Sequence, residues 1–157
     1  MRRKLSLALG LGISIPIAII AAFLVDEFSP EKVETVKAVQ GSESSLPLNK
    51  DISLISWNIQ YAGSRKHKFF YDGGEAVHVP KEDVEETLQE ITKLLENEGS
   101  DIALLQEIDR YSDRTQQIDQ LDTLRSYGKY ISYMSTPYHK VSYVPHPSHQ
   151  PLGRVNL

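Results

Sequence analysis

The feature that most constrains this chain is a run without charge. Leu5 to Val25 is 21 residues long and holds no Asp, Glu, Lys or Arg. An apolar helix of about 20 residues spans the hydrocarbon of a bilayer. Gly10, Gly12 and Pro16 interrupt the run, but membrane helices tolerate both residue types. Met1-Arg2-Arg3-Lys4 precedes it, and Asp26 and Glu27 follow it. Basic residues before a segment and none just after favour an N-terminus inside and a C-terminus outside. The expectation is a single-pass anchor over residues 1–25 in the plasma membrane, with the C-terminal part extracytoplasmic. The alternative is a secreted protein released by cleavage of this segment as a signal, although no clean Ala-x-Ala marks a cut.

Residues 26–50 read as a linker. They carry Ser29-Pro30, Gly41-Ser42, Ser44-Ser45 and Pro47 and no sustained apolar period, with room for a short helix over 30–39. The folded part is expected over residues 51–157. The chain has no cysteine, which excludes disulfides, thiolate zinc clusters, a lipoprotein anchor and a cysteine nucleophile. Residues 51–157 hold 11 Lys+Arg and 16 Asp+Glu, a balance of −5 with histidine neutral. That acidity does not indicate nucleic acid as a partner, since backbone binding usually needs a basic face. It does not exclude a nuclease either, because a bound divalent cation changes the local field. The one basic cluster, Arg65-Lys66-His67-Lys68, reads as a solvated loop.

The element order is that of an α/β fold. Ile52 to Ile59 reads as a strand, with apolar residues on both faces and therefore cover on both sides. Residues 60–80 read as a long loop broken by Gly63 and Gly73-Gly74. A helix is predicted from Lys81 to Glu98: Pro80 suits its start, acidic residues fill its first turns, and Gly99 stops it. Val84, Leu88, Ile91, Leu94 and Leu95 give it one apolar face. Asp101 to Gln106 reads as a second buried strand, 117–126 as a helix and 130–134 as a third strand. From Thr136 on, Pro137, Pro145, Pro147 and Pro151 are expected to forbid regular structure.

Two polar residues stand at strand ends. Asn58 closes the first strand, and Glu107 follows the second. A carboxylate on an apolar strand is costly to bury unless something pairs with it. Magnesium suits it, because this ion prefers oxygen and often takes one or two protein carboxylates plus water and substrate phosphate. An amide such as Asn58 can donate to a phosphate oxygen or hold a ligand in place. The plainer reading makes Glu107 an exposed or paired strand end and Asn58 a turn residue. His139, His146 and His149 sit in the proline-broken tail at spacings that match no standard metal site. His67 and His78 read as surface residues. Tyr127, Tyr130, Tyr133, Tyr138 and Tyr143 could stack on a base or sugar, though such residues are more often half-buried.

Ser56-Trp57-Asn58-Ile59, followed by Leu104-Leu105-Gln106-Glu107 some 49 residues on, resembles the endonuclease/exonuclease/phosphatase superfamily. Phe69 to Gly74, Ile108-Asp109 with Arg114, Ile118-Asp119-Gln120 and Tyr143-Val144-Pro145 resemble a bacterial, membrane-attached subgroup of it. The resemblance covers about residues 51–155. It implies the N-terminal half of a four-layer α/β/β/α sandwich and a metal-dependent phosphoesterase acting through magnesium-activated water. Asn58 would be the active-site asparagine and Glu107 the magnesium ligand, with Asn58 beside the same ion; manganese is the alternative cation. The superfamily's Asp-x-Asn and Ser-Asp-His strings are missing from the 157 residues. The expectation is therefore a truncated, inactive portion. The rival readings are a non-enzymatic membrane-tethered remnant and an interaction module. DNA, RNA, phospholipid and inositol phosphate all stay open as substrates.

Overall fold

The computed structural model describes residues 28–41, 49–130 and 132–157. The expected anchor and part of the linker lie outside the described residues, among which no helix is long and apolar enough to cross a membrane. The described chain is mixed α/β, with two helices and two small sheets.

The first sheet is a βαβ unit. Strands β1 (Leu54–Asn58) and β2 (Ile102–Gln106) pair in parallel, from Leu54 opposite Ile102 to Asn58 opposite Gln106. Helix α1 (Lys81–Glu98) connects them. Its bounds are those the sequence predicts, and the stop is physical: Gly99 adopts φ 65° and its N–H reaches the Leu95 carbonyl at 3.2 Å. Val84, Leu88, Ile91 and Leu95 are buried against Ile55, Trp57, Ala103 and Leu105. Leu94, expected on the same face, is exposed.

Among the described residues, the expected cover on both sides of β1 is not found. Ile55 and Trp57 face the core, while Ile52, Leu54 and Leu104 are 54%, 55% and 47% exposed. The cause is one-sided packing: α1, helix α2 (Gln120–Tyr127) and the 59–79 segment contribute to a single core. That segment is no peripheral loop. Ile59, Tyr61, Ala62, Phe69, Val77 and Val79 are buried, and the chain folds through short 3-10 turns at Gln60–Ala62 and Phe70–Asp72.

Helix α2 begins at Gln120, later than expected. Gln116 and Gln117 both hold left-handed φ angles, 58° and 57°, which an α-helix does not admit. Asp119 then caps the helix by accepting from the Asp122 N–H at 3.2 Å.

Three other expectations fail. No helix forms over 30–39; that segment is irregular apart from a bridge between Val39 and Tyr133. Among the described residues, the same bridge is all the pairing found where a third strand was expected over 130–134. A strand needs a neighbour that pairs along its length, and none of the described residues does so there. The proline-rich tail is regular after all: β3 (Lys140–Val144) and β4 (Gly153–Asn156) pair antiparallel. Pro145, Pro147 and Pro151 fall in the connection between these strands, where no ladder N–H is needed. Val155 and Leu152 pack with Val77 in a second small cluster.

Candidate functional site

The parallel register of β1 and β2 brings their C-terminal ends side by side, the usual place for a ligand in an α/β sheet. Asn58 and Glu107 meet there and line one open cleft of about 500 Å³ with Gln60, Tyr61, Tyr71, Asp72, Arg114 and Leu157.

The strand exits are tied to each other. The Ile59 N–H donates to the Gln106 carbonyl at 3.0 Å, and the Tyr61 N–H to the Glu107 carbonyl at 2.8 Å. Asn58 Oδ1 accepts from the Gln60 N–H at 2.9 Å, which turns the chain sharply. Gln60, Tyr61 and Ala62 then hold left-handed φ angles of 49°, 43° and 54°, and Glu107 one of 57°. Non-glycine residues in this region cost about 1 kcal/mol or more each and persist where the surroundings impose them. Here Gln120 imposes: its Nε2 donates to the Tyr61 carbonyl at 2.7 Å, and its Oε1 accepts from the Asp109 N–H at 3.0 Å.

Below the cleft lies a buried ion pair. Arg114 donates through Nε and Nη2 to the two oxygens of Asp109, each at 2.8 Å. Thr115 Oγ1 donates to the same carboxylate at 2.9 Å. The guanidinium carbon stands 3.7 Å from the centre of the Tyr61 ring. Burial works against the charge on Arg114, and the Asp109 carboxylate outweighs it, raising the guanidinium pKa. The Tyr61 hydroxyl shares a hydrogen bond with that of Tyr71. Burial pushes both phenols up, so both stay protonated near neutral pH.

Asn58 and Glu107 therefore both line this cleft. Their donor set fits a hard cation held mainly by water and phosphate: Glu107 supplies a carboxylate, and Asp72 a second one on the cleft wall. It does not fit a closed cage, since among the described residues no group of three or more His, Cys, Asp and Glu could hold a metal. With its oxygen engaged by Gln60, Asn58 has its amide nitrogen left to donate, which suits a phosphate oxygen better than a cation.

None of the five histidines lines the cleft. His67 binds Asp83 at 2.7 Å, and Lys66 reaches Asp83 and Glu86 at 3.4 and 2.8 Å, so two of the four residues of the basic cluster are paired with the acidic face of α1, while Arg65 and Lys68 are exposed. Among the tyrosines, Tyr130 bonds to Ser100 and Tyr133 lies under the Arg125 guanidinium. Tyr61, Tyr71, Asp72 and the cleft role of Arg114 escape a reading of the sequence. Two signals are present: the string Phe69 to Gly74, and an arginine five residues after an aspartate in a stretch that leaves an apolar strand. Compared with known proteins, the chain matches no family model, no curated protein and no solved structure.

Proposed function

We propose that the cleft is the phosphate-ester site of a metal-dependent phosphoesterase of the endonuclease/exonuclease/phosphatase kind. The observation that carries this reading is the meeting of Asn58 and Glu107 at adjacent parallel strand ends, in a cleft that Arg114 also lines. Glu107 would hold magnesium, and Asp72 on the same cleft wall adds a second carboxylate to the field around it. A bound divalent cation lowers the pKa of water and offsets charge on phosphate. Asn58 would donate its amide to a phosphate oxygen, and its bond to Gln60 keeps that amide oriented. No histidine stands at the cleft to take a proton from water, so binding should exceed turnover in these 157 residues. The bare face at Ile52, Leu54 and Leu104 supports the finer fold reading, in which a second sheet packs there to make a four-layer sandwich. Anchoring by residues 1–25, with the cleft outside the membrane, belongs to the same proposal.

The test is magnesium titration of the full chain by calorimetry, together with hydrolysis of bis(p-nitrophenyl) phosphate. Glu107→Gln should keep the thermal transition and lose magnesium binding, since it preserves shape and removes the charge. Equal magnesium affinity in both proteins would refute the reading. The same bare face favours a second reading, a membrane-tethered interaction module or remnant without catalysis. A cooperative melt indifferent to magnesium, with no cleavage, would support it.

A further inference from the structure

Arg114 is unusual among the charged groups of this chain. Its side chain is 7% exposed, and it still lines the cleft. A guanidinium is planar and carries five N–H donors in a fixed fork. Asp109 takes the edge made by Nε and one N–H of Nη2. The opposite edge, made by Nη1 and the second N–H of Nη2, is not used by Asp109. Such an edge matches two oxygens of one phosphoryl group.

We infer that Arg114 is the phosphoryl-recognising residue of the cleft, binding two non-bridging oxygens through this outer edge. The inference rests on the proposed phosphate-ester site and gives it a substrate-binding residue. Three contacts hold the edge in place: the two-point bond to Asp109, the Tyr61 ring 3.7 Å from the guanidinium carbon, and the Thr115 hydroxyl, which donates to the same carboxylate. A side chain fixed in advance loses little freedom on binding. Charge decides when the edge can be used. Arg114 and Asp109 cancel, which leaves Glu107 and Asp72 as the uncancelled charges among the lining residues. An anion alone meets that negative field. A divalent cation at Glu107 neutralises it, so phosphate and magnesium should strengthen each other's binding.

The experiment titrates inorganic phosphate into the full chain in detergent, with and without magnesium. Arg114→Lys keeps the charge and removes the fork. It should weaken phosphate binding by about tenfold, the loss of one charge-assisted contact, and leave affinity for magnesium alone within about twofold. In the unsubstituted chain, phosphate should shift the Arg114 side-chain nitrogen resonances, a readout that survives if the lysine variant fails to fold. Phosphate binding that is equal in Arg114→Lys, or Arg114 resonances unmoved by saturating phosphate, would overturn the inference. Failure of the unsubstituted chain to bind magnesium would sink the phosphoesterase reading instead. Movement of the Arg114 resonances by phosphate alone would then still uphold this one.

Discussion

Arg114 and Asp109 form a two-point ion pair at 2.8 Å and 2.8 Å, with side chains 7% and 0% exposed. The pair joins the exit of β2 to the floor of the cleft. Through Gln120 it also reaches the Tyr61 carbonyl, and so the exit of β1. Removing one member of such a pair leaves the other charged and dry. Asp109→Asn should therefore lower the unfolding free energy by roughly 3–5 kcal/mol. Replacing both, as Asp109→Leu with Arg114→Met, should recover most of the loss. Urea melts of the three proteins check this, and a single variant within about 1 kcal/mol of the parent would contradict it.

Asp119 ties acid stability to one carboxyl. Burial pushes its pKa up, but hydrogen bonds from Arg110 and the Asp122 N–H outweigh that and hold it below 3.8. A carboxylate depressed by folding stabilises the fold fully above its unfolded value. That contribution is lost as pH falls below 3.8 through the folded value. Asp119→Asn should flatten the fall of melting temperature below about pH 4, near the unfolded carboxyl value. An unchanged acid limb would remove Asp119 from the account. Asp119→Ala, which also deletes the cap of α2, should cost about 0.5–2 kcal/mol at pH 7.

The two faces of the β1–β2 sheet should answer differently to substitution. Leu88, on α1, is fully buried in the core on one side of the sheet, and Leu104 is about half exposed on the other side. Leu88→Ala should cost roughly 2–5 kcal/mol through lost burial and a cavity. Leu104→Ser should change stability by less than about 0.5 kcal/mol, while reducing binding of a hydrophobic dye. A large loss in Leu104→Ser would mean that something covers this face.

Gly74 controls the wall that carries Tyr71 and Asp72. A Cβ there would run into the Lys68 carbonyl. That same carbonyl accepts from the Ala76 N–H at 3.1 Å, so it cannot shift without breaking the loop's own bond. Gly74→Ala should destabilise by roughly 1–3 kcal/mol, as overpacking does, and should loosen the Tyr61–Tyr71 contact. Wild-type hydrogen exchange across 68–76 in the variant would show that the loop yields instead.

Much of the first half of the fold was legible in the sequence, because its signals are local. Pro80, the acidic first turn, the apolar period and Gly99 define α1 within a few residues of each boundary. The alternation of β1, α1 and β2 follows from composition and period, and Asn58 and Glu107 stand out as polar residues on apolar strands. The tail's two strands are hidden for a local reason too: its prolines signal a break, and they lie in the connection that separates β3 from β4. What the sequence could not supply is distance between remote residues. The parallel register that puts Asn58 next to Gln106 is settled by side chains of both strands packing on α1. The bare outer face depends on where the helices are not. Arg114 is tolerated at the buried floor of the cleft because the Asp109 carboxylate and the Tyr61 ring compensate its charge, and Gln120 ties the backbones of those two residues together. Periodicity and capping act over one or two turns of chain. Burial of an ion pair and the convergence of strand ends are sums over contacts far apart in sequence, and they exist only once the chain has closed on itself.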